Sequence, residues 1–202
     1  MKKLFTALLF VFVAIFNLIA EEPEWFADKL PEKITNKAKK EIAASAALHG
    51  KTVALYFSAS WCPPCRGFTP QLINFYKKVK DKNFEIIFVS SDKNEQEMLK
   101  YFKKMPWLAI PFKDPARAKL KSQFKVNGIP TLIVLGHDGK VISSNARWDV
   151  VMLGEKALTA WQSEDYKPKT YADYQKENKS KDKAVKKSKK SKKSKKSKKS
   201  KK

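Results

Sequence analysis

Cysteine, histidine and glycine are scarce in this 202-residue chain, which holds two, two and six of them. Two cysteines are too few for the disulfide framework that stabilises small secreted scaffolds, and a chain of this length can bury a core without one. They are also too few for a four-ligand zinc site unless both histidines joined them. His49 and His137 stand in loop-like contexts without ligand spacing. We therefore expect neither a metal nor another cofactor.

Acidic residues are also few, with 20 of them against 43 lysines and arginines, for a formal charge of +23. Much of the excess lies near the C-terminus, where residues 176–202 hold sixteen lysines and two acids and repeat Ser-Lys-Lys five times. Like charges repel and no apolar face is available for burial, so this segment is predicted to be a disordered basic tail. Two interpretations of the tail remain open: it binds a polyanion or an anionic surface, or it is an extension without a dedicated partner.

The N-terminal residues have the pattern of a targeting segment. Lys2 and Lys3 precede an apolar run from Leu4 to Ile19, and Ala20 is followed by two glutamates. This pattern predicts a signal peptide over residues 1–20 and export of the domain to the periplasm or the medium. The alternative is an uncleaved membrane anchor, although the run is shorter than the ~20 residues that a comfortable span needs. In both cases the domain would lie outside the cytoplasm.

Residues 21–175 are predicted to form one α/β domain. Residues 52–58 and 84–90 are rich in β-formers and do not alternate, which is typical of strands buried on both faces. Asp138-Gly139 between two apolar runs predicts a hairpin, and a last helix is predicted from Val150 to Trp161. We therefore expect a central mixed sheet, parallel first and antiparallel at its C-terminal hairpin, with helices on both faces.

A helical extension is predicted before the first of these strands. Pro31 can open a helix, and apolar residues follow at the four-residue spacing of one helical face. These residues are Ile34, Ala38, Ile42 and Ala46.

Both cysteines stand in the segment 61–66, Trp-Cys-Pro-Pro-Cys-Arg. If Cys62 caps a helix that begins at Pro63, its thiol lies near unpaired N–H groups at the positive end of the helix dipole, which lowers its pKa. The thiolate is the attacking species in disulfide exchange, and Cys65, one turn inside, could resolve the mixed disulfide. The alternatives are half of a zinc knuckle and a structural disulfide, and the surrounding pattern favours redox exchange.

Residues 56–70 resemble the active-site block of the nucleoredoxin and tryparedoxin branch of the thioredoxin superfamily. Three later blocks resemble the same branch in the same order: Phe-Val-Ser-Ser-Asp at 88–92, Met-Pro-Trp-Leu-Ala-Ile-Pro-Phe at 105–112, and Gly-Ile-Pro-Thr-Leu at 128–132. The resemblance covers roughly residues 51–147. It implies a thioredoxin fold.

The resemblance also implies an activity and a set of site residues. The expected activity is reduction of protein disulfides through a Cys62–Cys65 dithiol, with Cys62 as nucleophile, Cys65 as resolving thiol and an upstream redox donor as partner. Pro130 is expected to follow a cis bond. The expected substrate-facing residues are Trp61, Pro63, Pro64, Arg66, Trp107, Ile129 and Pro130.

The chain departs from this branch at several positions. Ser91 stands where tryparedoxins typically have a tryptophan, and Asn127 where they can carry an acid, whereas Arg147 matches a basic position. Tyr56 occupies the place of the buried aspartate of ordinary thioredoxins, so no proton relay is carried over. The chain is closer to nucleoredoxin domains. A DsbA-like oxidase or isomerase and a non-enzymatic polyanion-binding protein remain as alternatives.

Overall fold

The computed structural model describes residues 29–181 and 183. The predicted signal peptide and the repeats of the basic tail lie outside the described residues. Within the described part, no helix is long and apolar enough to cross a membrane.

The described residues form one seven-stranded sheet with helices around it. The strands are β1 (Lys33–Thr35), β2 (Glu41–Ala43), β3 (Thr52–Ser58), β4 (Phe84–Ser90), β5 (Leu108–Ala109), β6 (Thr131–Leu135) and β7 (Val141–Ser143). The helices are α1 (Ala44–Leu48), α2 (Pro63–Val79), α3 (Glu95–Phe102), α4 (Ala116–Gln123), α5 (Arg147–Leu153), α6 (Lys156–Trp161) and α7 (171–181). The order across the sheet is β2-β1-β5-β4-β3-β6-β7.

The sheet is mixed, as predicted. Strands β3, β4 and β5 run parallel, whereas β6 is antiparallel to β3 and β7 to β6. The register of β3 and β4 runs from Thr52 opposite Phe84 to Ser58 opposite Ser90. The two parallel strands therefore end at the same edge, and the loops that follow them are brought together there. Strand β5 was not predicted, because two residues are too few for a recognisable pattern.

Helices cover both faces of the sheet, as predicted. One core lies between the sheet and α2, α3, α5 and α6, and a second lies between the sheet and α1 and α4. All seven residues of β3 are buried, which explains why this strand does not alternate between apolar and polar residues.

The predicted N-terminal helix is wrong over residues 33–43, which form a β-hairpin, whereas its last part, Ala44–Leu48, is helical. Ile34 and Ile42 are cross-strand partners rather than neighbours on a helix. The Asn36 side chain accepts the N–H groups of Ala38 and Lys40 at 2.9 and 3.1 Å and forms the turn. Strand β1 then pairs with β5. This pairing joins segments far apart in the chain and overrides a local spacing that also suits a helix.

The C-terminal region differs from the prediction in two ways. The predicted helix 150–161 is two helices, α5 and α6, which are separated at Gly154, where φ is +56°. Helix α7 runs into the segment predicted to be disordered, so the prediction of disorder is wrong for residues 176–181.

The buried carboxylate of Asp149 connects this region to the domain. It accepts hydrogen bonds from Trp161 Nε1 at 2.9 Å, from the Tyr166 hydroxyl at 2.5 Å and from the Tyr174 hydroxyl at 2.6 Å. Burial and the bond to Asp149 raise the pKa of Tyr166 to about 12, so its phenol stays a donor at neutral pH. These bonds join α6 and α7 to the first turn of α5.

Candidate active site

The two cysteines stand at the N-terminus of α2. Cys62 is the N-cap residue and Pro63 the first helical residue, where a missing N–H costs no hydrogen bond. Cys62 Sγ accepts the backbone N–H of Cys65 at 3.3 Å. The two cysteines form a disulfide with their Cα atoms 5.2 Å apart. The structure therefore has the capping geometry that the sequence predicts.

The two cysteines are both buried, and Cys62 is the more exposed of them. Cys65 is fully buried, whereas Cys62 is 4% exposed and lies beside Trp61, which is 49% exposed. Trp61 Nε1 donates to the carbonyl of Ser91 at 3.2 Å, so the ring has a defined place next to the disulfide. A partner that approaches from solvent therefore reaches Cys62 first.

Pro63, Pro64 and Arg66 are exposed around the disulfide. The Arg66 guanidinium donates to the carbonyl of Ser60 at 3.0 Å. This bond directs the side chain back along the loop that carries the cysteines.

The second wall of the site is the loop before β6. The Ile129–Pro130 bond is cis, as the resemblance implies, and the Ile129 carbonyl oxygen lies 3.8 Å from Cys62 Sγ. Thr131 pairs with Phe57 of β3, which brings this loop to the strand that leads to the cysteines. Six of the seven expected substrate-facing residues therefore lie around the disulfide, and one of them, Pro130, is buried there.

Trp107 is the exception, and its prediction as a substrate-facing residue is wrong. It is 1% exposed and packs edge-to-face on Tyr56 and Tyr76, with ring centroids 6.1 and 5.6 Å away. The next two residues form β5, which pairs in parallel with β4. That pairing directs the indole into the core beneath α2.

A layer of neutral hydroxyl groups lies beneath the disulfide. The Tyr56 and Tyr101 hydroxyls bond Thr69 Oγ1 at 2.8 and 2.5 Å, and Thr69 Oγ1 donates to the Cys65 carbonyl at 2.9 Å. Burial raises the pKa of Tyr56 well above its ordinary value, so this phenol stays neutral. The layer can donate hydrogen bonds, but it holds no carboxylate that could take a proton from Cys65.

Asp92 follows β4 and lies against the loop that leads to the cysteines. It does not cap α3, whose cap is Asn94, with a side chain that accepts the Glu97 N–H at 2.9 Å. The carboxylate of Asp92 is buried and accepts the Ser60 N–H and the Ser90 hydroxyl, both at 2.7 Å. It therefore holds the loop that precedes the cysteines.

Arg117 supports the same edge from α4. Its Nε donates to the Ser90 carbonyl at 3.0 Å, and its guanidinium also donates to the carbonyl of Phe112 and, at 3.5 Å, to that of Asp92. The guanidinium stacks 4.1 Å from the centroid of the Phe112 ring. Nothing in the sequence pattern singled out Thr69, Tyr101 or Arg117, because each bonds at least one residue that is distant in the chain.

Comparison with known proteins assigns the domain to a family. A family model described as thioredoxin-like matches residues 50–141. Tryparedoxin of Trypanosoma brucei brucei is 45% identical over 138 residues, which are 67% of this chain and 96% of that protein. The chain belongs to the thioredoxin-like family.

Other relatives of the thioredoxin-like domain agree. Probable nucleoredoxin 1 of Arabidopsis thaliana is 51% identical over 112 residues, 54% of this chain, and the chain spans 19% of that protein's length. The crystal structure of native tryparedoxin I from Crithidia fasciculata has a TM-score of 0.62 and 43% identity, covering 73% of this chain and 99% of its own. The resemblance to the nucleoredoxin and tryparedoxin branch and the thioredoxin-like fold are both confirmed.

Proposed function

We propose that this domain is a thiol–disulfide oxidoreductase that reduces protein disulfides through Cys62 and Cys65. One observation carries the proposal: Cys62 caps α2, and its sulfur accepts the N–H of Cys65. In the reduced protein, this N–H and the helix dipole stabilise negative charge on Cys62 and lower the pKa of its thiol. The names of the relatives, tryparedoxin and nucleoredoxin, agree with a redox role.

The reaction follows from the positions of the two sulfurs. The Cys62 thiolate attacks one sulfur of a substrate disulfide, forms a mixed disulfide and expels the other substrate sulfur as a thiolate. Cys65, after losing its proton, attacks Cys62 Sγ and releases the second substrate thiol. Two electrons pass to the substrate, and the Cys62–Cys65 disulfide is formed. An upstream dithiol donor then returns the pair to the reduced state.

The substrate would lie between Trp61 on one side and Ile129–Pro130 on the other. This position is supported by exposed Trp61 on one side of Cys62 and by the Ile129 carbonyl, 3.8 Å from Cys62 Sγ, on the other. Pro63, Pro64 and Arg66 would complete the contact at the start of α2.

Trapping of the intermediate tests this function. Cys65→Ser keeps the nucleophile and removes the resolving thiol, so the variant should accumulate mixed disulfides that dithiothreitol releases. Cys62→Ser is the matched control and should accumulate far fewer. Equal and negligible trapping by both variants would contradict the proposal and favour a non-enzymatic scaffold.

We propose the reducing direction for this exchange, because the family resemblance favours it. The reduction potential should then lie near those of thioredoxins and glutaredoxins, about −200 to −270 mV. A potential near −120 mV would instead support a DsbA-like oxidase.

We also propose that the domain is exported, since the basic start, apolar run and Ala20 form the pattern of a signal peptide. Mass spectrometry of the exported protein should find a species that begins at Glu21. A species that keeps residues 1–20 would support an anchor, and protein found only in the cytoplasm would contradict export.

For the basic tail, we propose binding to an anionic surface or polyanion. Sixteen lysines in residues 176–202 should give retention on an anionic matrix that is lost at high salt and on truncation at Lys179. Retention that is insensitive to salt, or unchanged by the truncation, would contradict this partner.

A further inference from the structure

One face of α4 and its flanks carries a basic stripe, formed by Lys113, Arg117, Lys121 and Lys125. Arg117 and Lys121 lie four residues apart within α4, which places them on the same face, and Lys113 and Lys125 flank the helix at the same interval in the chain. The three lysines are exposed and Arg117 is half-buried. Arg117 and Lys121 both lie within α4, so they are separated by about 6 Å along its axis.

The stripe lines a groove that includes Ser91 and Asn127, which belong to the two segments next to the redox site. Two cavities of about 430 and 560 Å³ adjoin each other, because Ala118 and Lys121 line both. The first includes Ser91, whose carbonyl holds Trp61. The second includes Asn127, two residues before Ile129. Ser91 and Asn127 therefore connect the groove to the two segments that flank the disulfide.

The positive charge of the groove is largely uncompensated within the described residues. Lys113, Lys121 and Lys125 form no salt bridge with any residue in 29–181. Asp114 is the one acid among the described residues that line the two cavities, and its carboxylate accepts the N–H of Ala116 at 2.8 Å. The groove therefore offers three exposed cations to a ligand.

The stripe also breaks a local rule of helix stability. Arg117 and Lys121 are like charges four residues apart within α4, and such pairs repel each other on a helix. Arg117 is held by three carbonyl groups, but no comparable contact within the described residues favours the lysines. Violations of this kind are expected where a surface is kept for a ligand.

We propose that this groove binds an acidic segment of the proteins whose disulfides are reduced, and so presents their cysteine to Cys62. This proposal rests on the proposed function and extends it by naming the class of protein substrate that the groove would select. In an extended segment, every second side chain points to the same face and is repeated at about 6.6 Å. That repeat is close to the separation of Arg117 and Lys121. The preferred segment therefore has acidic residues at alternate positions.

Two disulfide-bridged peptides that differ only in having Glu or Gln at three alternate positions test the proposal. The full-length protein should reduce the Glu peptide with a kcat/KM about tenfold higher than the Gln peptide at low ionic strength, since each exposed charge contact contributes little. This ratio should fall with added salt. In K113Q/K121Q/K125Q it should fall to about twofold or less.

The matched control removes three exposed lysines from outside the groove, in K78Q/K100Q/K104Q. It should keep the tenfold ratio. The basic tail is present in all three proteins, so its attraction for the Glu peptide cancels. An equal ratio in all three proteins would overturn the proposal. The proposal would also be overturned if K113Q/K121Q/K125Q kept the tenfold peptide ratio but lost binding to vesicles rich in phosphatidylserine. The groove would then bind a membrane and not a peptide.

A second measurement separates this proposal from the proposed function. If the wild-type protein reduces neither peptide, the proposed function fails. Fluorescence anisotropy with a Glu peptide that has serine in place of cysteine then reports on the groove alone. Binding that is severalfold weaker in K113Q/K121Q/K125Q than in the control variant would support an acidic ligand, and equal binding would overturn it.

Discussion

The carboxylate of Asp92 accepts a hydrogen bond from the backbone N–H of Ser60, 32 residues away in the chain, at 2.7 Å. Its other oxygen accepts the hydroxyl of Ser90. Strands β3 and β4 end side by side, so this one buried side chain joins the end of β4 to the loop that leads into the cysteines. It thereby sets the position of Trp61 at the edge of the disulfide.

Replacing Asp92 should weaken both stability and turnover. Asp92→Ala leaves the buried donors of Ser60 and Ser90 without their acceptor, which costs about 1–3 kcal/mol for each unsatisfied group. We expect a loss in this range in urea unfolding, together with lower kcat/KM. Asp92→Asn keeps one carbonyl acceptor and should lose less. Equal stability of wild type and Asp92→Ala would contradict this role.

Tyr56→Phe should leave the pH dependence of the Cys62 thiol unchanged. Burial raises the pKa of Tyr56 well above its ordinary value, so the phenol is neutral across the range in which a cysteine ionises. The variant loses the bond to Thr69 and about 1 kcal/mol of stability. The rate of alkylation of the reduced protein by iodoacetamide, followed against pH, measures the midpoint. A displaced midpoint would show that this hydroxyl tunes the thiol.

Trp61→Ala and Trp107→Ala should affect different properties: the first should lower turnover, and the second should lower stability. Trp61 is 49% exposed and Trp107 is 1% exposed. Removing the buried indole creates a cavity and should cost about 3–5 kcal/mol. Removing the exposed one should cost less than about 1 kcal/mol but lower kcat/KM for a protein disulfide. Urea unfolding and a turnover assay on the same two variants distinguish the roles, and Trp107→Phe should retain the wild-type substrate preference.

Tyr174→Phe should loosen the attachment of α7. The variant loses a hydrogen bond to the buried carboxylate of Asp149, and bonds to charged groups contribute about 1.5–3 kcal/mol. Hydrogen exchange across α7 and urea unfolding should both report the loss. Tyr171→Phe is the matched control, since Tyr171 is exposed and packs through its ring on Trp148. An equal effect of the two substitutions would contradict the role of the hydroxyl.

Glu85→Gln should change the pH dependence of stability. Burial raises the pKa of Glu85, although its carboxylate accepts bonds from Tyr76 and Ile86. Because the pKa is raised in the folded state, the stability that Glu85 contributes is fully present below its ordinary pKa. This stability is lost as the pH rises through the pKa of the folded state. The stability of Glu85→Gln relative to wild type should therefore increase from pH 4 to pH 7. Urea unfolding measures this difference, with exposed Glu164→Gln as control, and a constant difference would contradict it.

Local patterns in the sequence predicted much of the fold and the chemical centre of the site. Strands β3 and β4, the β6–β7 hairpin and the cap at Cys62 each depend on residues within a few positions of one another. The same reasoning failed for β1 and β2, because the spacing of Ile34 and Ile42 suits a helix as well as a hairpin. Pairing of β1 with β5 decided between them.

The sequence by itself determined the reactive pair and its place at the start of a helix, because proline, cap and cysteine act over a single turn. Tertiary structure decided which residues surround that pair. It directed Trp107 into the core, placed Thr69 and Tyr101 beneath Cys65, and brought Asp92 to Ser60. It also placed the basic stripe in a groove that includes Ser91, whose carbonyl accepts the Trp61 N–H. Side-chain direction and neighbours depend on the pairing of distant strands and on the packing of helices against them, which no local pattern encodes.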